Sequence, residues 1–439
     1  LRLCLFSLFI KGYNGAGMNT GGRMMNFINQ YRGLKKEIYI LFFGRIVTAM
    51  GSFVYPMLTL MLRLKLGFAP TEIALTLAIF TIFSLPAAIL GGKLTDKFGR
   101  KRIIVIFDLV TVATFIIAGI LPFSNLTIGL IFVGGLFAQM EGPAYSALIA
   151  DFSKTEEREK AYSMSYLGFN LGFMLGPTLG GFLFENYINL AFIINGLSTL
   201  SSTILILLFI FEKNSYRAEN ESNHVQESNV YEVSHGASAN IFNILRDRKV
   251  IFGILFAGSL AGAVYSLVSF LLPLNLEMLY PTQGAVYYGL LSSFNGFVVI
   301  IVTPLFTVAL RKMREIPKMT VGVILFLSGL LIFGFLPGII TAFAGMLVFT
   351  VGEVINALGG SPYMTRRIPA SHRGRIFGVQ AIIATIVSVA SQLLIGNLLE
   401  RWEYSPIWLL YVGIGFIVLI LYVWFYRVDQ KTFPKLYEK

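Results

Sequence analysis

The sequence predicts an all-α membrane protein, with twelve transmembrane helices in two pseudo-symmetric six-helix bundles. Three observations lead there. Of 439 residues, 56% are hydrophobic and only 13% are charged, about half the charged share of a soluble domain. The apolar residues fall in a dozen long blocks, each near the ~20 residues that cross a bilayer. The two halves of the chain also match each other at a nearly constant offset.

The chain opens with a segment over 1–37. It has no initiating methionine, and "LRLCLFSLFI" is too short to span. Residues 1–23 are read as an untidy extension, with the working protein starting near Met24 or Met25. The N-terminal bundle covers 38–211, with spans at 38–61, 73–92, 103–122, 126–150, 161–184 and 188–211. A polar stretch over 212–249, rich in Glu, Asn and Ser, reads as a flexible linker. Its end, "NIFNILRDRK", could lie along the membrane surface as a short amphipathic helix. The C-terminal bundle covers 250–426, with spans at 250–273, 284–309, 319–336, 339–363, 376–399 and 405–426. A tail over 427–439 closes the chain.

The basic residues sort by side. One set of loops holds only Arg63, Lys65 and Arg401, while the other holds Lys93, Lys97, Arg100, Lys101, Arg102, Arg158, Arg311, Lys312, Arg366 and more. The positive-inside rule makes the rich side cytoplasmic and places both termini there. The net charge of +12 is therefore assigned to loops facing a cytoplasm, not to nucleic acid. The single cysteine, Cys4, excludes an internal disulfide framework. None of the three histidines has metal-ligand spacing, and no catalytic constellation appears. No enzyme activity, metal or cofactor is expected, and a monomer in a cell membrane is the expected working unit.

The internal match runs through several short segments. Tyr55 falls on Tyr265 at an offset of 210, and Arg158 on Arg373 and Glu185 on Glu400 at 215. "APTEIAL" (69–75) matches "YPTQGAV" (280–286), and Arg100 with Lys101 fall on Arg311 with Lys312. Parallel repeats of this kind build transporters that bind substrate near the midplane, between halves that rock.

Between spans two and three lies "GKLTDKFGRK" (92–101). An ordinary positive-inside loop explains its Lys and Arg, but not Gly92, Asp96 and Gly99 at these spacings. Gly92 and Gly99 are expected to permit close packing and a tight turn. Asp96 is expected near the start of span three, where a carboxylate suits the helix dipole. Arg100 and Lys101 can bind carboxylates or lipid headgroups. The second-half copy, "TPLFTVALRKMR", keeps only the basic pair. The strip resembles the loop 2–3 signature of the major facilitator superfamily, G-x-L-A-D-[RK]-x-G-R-[RK]. That resemblance implies a latch on the cytoplasmic face during a transport cycle.

Span five carries Gly172, Gly176, Pro177, Gly180 and Gly181. Small residues four apart let helices approach closely in lipid, and a proline can kink the helix. The full G-x-x-x-G-P-x-x-G-G resembles the span-five motif of the family's drug:proton antiporters. Span four departs from those antiporters, whose pattern there is R-x-x-[QG]-G. Ala138 stands at the arginine position and Glu141 just before Gly142, so the arginine's part in proton movement does not carry over.

Charges inside a bilayer are costly, and each is a functional candidate. The spans contain Arg45, Asp108, Glu141 and Glu353. Arg45 lies ~10–12 Å from the cytoplasmic side, Asp108 ~8 Å, Glu141 ~14 Å and Glu353 ~15 Å, at ~1.5 Å per residue. The resemblance implies that spans one, four, seven and ten line a central cavity, where Arg45, Glu141 and Glu353 would converge. Arg45 is equally read as the neutralising partner of Glu141 or Asp108. Glu353, with no basic partner in its own half, is the first choice for a proton carrier, followed by Glu141 and then Asp108. Tyr55, Tyr145, Tyr265, Asn295 and Tyr363 are candidate cavity residues.

Together these point to a proton-driven antiporter that exports amphipathic or lipophilic small molecules. The alternatives are a symporter or importer of a polar or anionic metabolite that uses Arg45 and, from another class, a lipid flippase or non-transporting receptor. The partners expected are a small-molecule substrate, protons and the bilayer.

Overall fold

A computed structural model describes residues 31–211, 249–368 and 370–437. The segment before residue 31 and all of the expected linker except Lys249 lie outside the described residues. Among the described residues, twelve helices are long and apolar enough to cross a membrane. In the first half they are α1 (Lys36–Lys65), α2 (Pro70–Phe98), α3 (Arg100–Ile120), α4 (Asn125–Asp151), α5 (Arg158–Phe184) and α6 (Ile188–Phe209). The second half has α7 (Lys249–Leu279), α8 (Gly284–Ala309), α9 (Glu315–Phe335), α10 (Ile339–Arg367), α11 (Ala370–Leu399) and α12 (Tyr404–Thr432).

Several helices outrun their apolar blocks. The polar ends of α2, α7, α10 and α12 remain helical because a helix satisfies its own backbone groups as it leaves the hydrocarbon. The expected tail from 427 is therefore helix through Thr432, followed by a short 3₁₀ turn at Pro434–Leu436. The first span bends instead of running straight. Its helix breaks at Ser52–Phe53, resumes over Val54–Leu60 and ends in a π turn over Met61–Lys65. α2 starts where Pro70 occupies its first turn and the Ala69 N–H donates to Glu72 Oε2 at 2.7 Å, a stabilised helix start.

Six helices pack together on each side of a central space. The face that carries the basic loops is called the basic face. At the opposite face the halves meet. Thr71 on α2 donates to Glu400, just after α11, and Gly396 on α11 lies against Pro70 and Ala74. Deeper, the Gln392 amide and the Thr81 hydroxyl are 3.2 Å apart. α5 and α8 also close on each other: Gly289 lies so near the Pro177 carbonyl oxygen that a Cβ would clash with it. These contacts between the halves lie along the stretches of the helices away from the basic face. α2 and α11 are the least enclosed helices, with 22% and 17% of their apolar stretches buried.

Candidate functional site

The carboxylate of Glu353 sits midway along α10, on the side turned to the space between the halves. Asn295 on α8 donates from Nδ2 to Glu353 Oε2 at 2.9 Å and to Thr350 Oγ1 at 2.8 Å. Tyr265 on α7 reaches Glu353 Oε1 with its hydroxyl at 3.4 Å. The Tyr265 ring stacks on Phe349 with centroids 5.5 Å apart and is 37% exposed, so its free face opens into the central space. Across that space Tyr166 on α5 lies within electrostatic reach of Glu353. Three residues chosen from sequence, Glu353, Tyr265 and Asn295, thus form one cluster from three helices. Thr350 was not anticipated, although its place one turn before Glu353 puts it on the same helix face.

The first half holds a second cluster. Arg45 on α1 lies over the rings of Tyr145 (5.2 Å) and Phe169 (5.4 Å). Its charge acts on both Asp108 on α3 and Glu141 on α4, and the two carboxylates act on each other. No ion pair within 4.0 Å forms between Arg45 and either carboxylate among the described residues. Asp108 Oδ2 instead lies within hydrogen-bond distance, 2.7 Å, of the Thr203 hydroxyl on α6. Glu141 is partly exposed.

Glu353 has its own hydrogen-bond partners in one half, while Arg45, Glu141 and Asp108 act on one another in the other. Three sequence expectations are corrected. Tyr55 packs its hydroxyl beside Gly135 and its ring against Phe115, away from the charges. Tyr145 is 5% exposed and donates to the Leu41 carbonyl at 2.5 Å, so it supports Arg45 from within the bundle. Tyr363 is fully buried near the basic face, where it donates to Asp429 Oδ1 at 3.1 Å and lies 4.1 Å beneath the Arg367 guanidinium. In each case the tyrosine hydroxyl found a protein acceptor or a packed niche, which sequence spacing does not reveal.

The strip between α2 and α3 is a sharp corner. Gly99 has φ +91° and is both the end of α2 and the cap of α3, a conformation open to glycine and strained for other residues. The close packing belongs to Gly91, where a Cβ would meet the Met140 backbone. Gly92 faces nothing nearer than 3.9 Å, which corrects the packing role given to it. Asp96 lies in the last turn of α2, not at the start of α3. There the negative end of the helix dipole opposes it, and its side chain is exposed. Arg100 pairs with Asp151 at the end of α4 at 3.1 Å. Lys101 donates to the carbonyls of Leu207 and Ile210 at 2.9 and 2.6 Å, capping α6. Asp96→Asn should therefore leave the corner folded and inserted, while reducing transport several-fold. Equal transport at equal membrane abundance would make Asp96 a mere topological marker.

The glycines of α5 serve two interfaces. Gly172, Gly176 and Gly180 lie against the α1 backbone and Phe53, whereas Gly181 lies against Ala285 on α8. Pro177 lacks an N–H and opens the turn around it. The next N–H, of Thr178, donates to Ser293 Oγ of α8 at 3.0 Å, and the Thr178 hydroxyl is 2.8 Å from the same oxygen. This clasp joins the two halves on the sealed side. With Cys4→Ser as background, oxidation of Thr178→Cys/Ser293→Cys should stop transport until the disulfide is reduced. Unimpeded transport with the bond formed would show that the seal never opens. Among the described residues no group of three metal-ligating side chains occurs.

Two six-helix halves, with carboxylates on helices of each half, have the build of a secondary transporter. Residues 41–391 match the Major Facilitator Superfamily, and the chain belongs to that family. It is 24% identical over 384 residues to a Na(+), Li(+), K(+)/H(+) antiporter of Planococcus maritimus, covering 81% of this chain and 88% of that protein. It is 31% identical over 181 residues to the quinolone resistance protein NorA of Staphylococcus aureus, covering 41% of this chain and 46% of that one. The chain thus spans about half the length of NorA. Its fold is like that of the peptide transporter POT in complex with sulfate (TM-score 0.69, 16% identity, 91% of this chain and 95% of that one). A D-xylose-proton symporter is also similar (TM-score 0.67, 14% identity, 88% and 96%).

Proposed function

We propose that this multi-pass membrane protein is a proton-coupled antiporter that exports amphipathic or lipophilic small molecules by alternating access. The observation that carries this reading is the setting of Glu353. Its carboxylate faces the central space, held by the amide of Asn295 and the hydroxyl of Tyr265, beside an open aromatic face. No basic side chain pairs with it among the described residues. Such a carboxylate takes up and releases a proton in alternation with substrate, while the stacked Tyr265 and Phe349 supply the apolar and cation–π contact that binds it. The basic face is cytoplasmic by the positive-inside rule, and export takes substrate from that side.

Two relatives support exchange over uptake: one is named an antiporter and the other a quinolone resistance protein. Import of an anionic metabolite through Arg45 has less support, because that guanidinium is covered by two rings and shares its charge with two carboxylates. The test is a panel of quinolones, lipophilic cations and alkali cations in proteoliposomes with an imposed pH gradient. Gradient-driven movement of at least one organic compound is expected. Movement of alkali cations alone would replace the substrate class, and movement of none would end the proton-coupled reading.

A further inference from the structure

One buried hydroxyl in the first half sets a problem of hydrogen counting. Thr203 Oγ1 lies 2.7 Å from Asp108 Oδ2 and 2.9 Å from the Thr199 carbonyl oxygen. Both distances are of hydrogen-bond length, yet a threonine hydroxyl has a single hydrogen. If Asp108 is ionised, neither acceptor brings a hydrogen of its own, and a single hydrogen must be shared between the two contacts. If Asp108 Oδ2 carries a proton, the count closes. Asp108 O–H donates to Thr203 Oγ1, and Thr203 donates to the Thr199 carbonyl, the back-bond that helical threonines make.

The surroundings agree with that count. Asp108 is only 7% exposed. The charged and titratable groups that act with it are Arg45 on α1 and Glu141 and Tyr145 on α4; α6 contributes the neutral Thr203. One cation faces two carboxylates, and an uncompensated charge in a dry interior is costly. A single proton on the pair balances the trio. Glu141, the partly exposed member, gives that proton a route to water.

The geometry points to a second proton-binding site at Asp108 Oδ2, lodged within the N-terminal half and separate from Glu353. The inference rests on the proton-coupled reading above and extends it to one proton site in each half. On release, Asp108 gives up its proton by way of Glu141, and the Thr203 O–H turns from the Thr199 carbonyl to the carboxylate. Reloading reverses both movements. Thr203 is a positioning residue whose hydroxyl fits either state.

Infrared difference spectra of the purified full chain, taken between acid and alkaline pH, test this without any substrate. Two buried protonated-carboxyl bands are expected. Asp108→Asn should remove one and Glu353→Gln the other. Thr203→Val should shift the Asp108 band and leave the Glu353 band in place, while Thr203→Ser should shift neither. If Asp108→Asn removes no band, or Thr203→Val shifts none, the second site is overturned while the Glu353 reading stands. Loss of no band in Glu353→Gln would instead count against the proposed function. Should Asp108→Asn fail to fold, the two Thr203 variants decide the matter.

Discussion

Glu353→Gln is expected to reduce pH-gradient-driven transport to the level of protein-free liposomes while leaving substrate binding intact. The substitution is nearly isosteric. A glutamine carbonyl can still accept from Asn295 Nδ2, and its amide can donate to the Tyr265 hydroxyl, so the cluster of α7, α8 and α10 keeps its hydrogen bonds. Only the capacity to take and release a proton is lost. A structural role would predict reduced abundance with residual coupling; a proton carrier predicts normal abundance with none. Full gradient-driven transport by the variant would remove Glu353 from the mechanism and shift attention to Glu141 and Asp108.

The largest stability effect is expected far from that site, near the basic face of the second half. Asp429 is fully buried, and its two oxygens receive Arg367 Nε at 2.9 Å and Nη2 at 2.6 Å. Tyr363 and Tyr437 donate to the same carboxylate at 3.1 and 2.6 Å. Burial pushes the Tyr437 phenol up, reinforced by its bond to Asp429, so it remains a neutral donor. Glu315 on α9 binds Arg366 at 2.6 Å and reaches Arg367 at 3.5 Å. Arg314 holds the Tyr437 carbonyl at 2.8 Å and so ties in the chain end. Asp429→Ala removes the bidentate partner of the buried Arg367 and leaves it only the longer contact with Glu315, a loss of about 3–5 kcal/mol, and should sharply lower the apparent Tm in detergent. The double variant Asp429→Leu/Arg367→Met should recover most of that loss, because it removes the stranded charge as well. A double variant no more stable than Asp429→Ala would show that packing dominates there, not charge.

The fold was legible because lipid imposes strong rules. Apolar length, basic-loop asymmetry and the repeat all follow from the bilayer and leave marks in sequence. So did the choice of Glu353, Tyr265 and Asn295, since a polar group at mid-depth stands out against an apolar background. Legibility failed where partners come from other helices. Nothing in the spacing of "LSTLSSTILIL" reveals that Thr203 touches Asp108, or that Ser293 accepts from the backbone N–H of Thr178 beside Pro177. Tyr363 failed for the same reason: its acceptor, Asp429, lies in a stretch read as tail. Asp96 was misplaced because the helix break falls at Gly99, after the aspartate and not before it.

Counter-movement of protons tests the central claim most directly. Proteoliposomes loaded with a substrate from the panel and an internal pH dye are diluted into substrate-free buffer with no imposed gradient. As substrate leaves, proton antiport predicts that the interior acidifies, and that Glu353→Gln abolishes the change. Alkalinisation of the interior, with protons leaving alongside the substrate, would contradict exchange and establish symport.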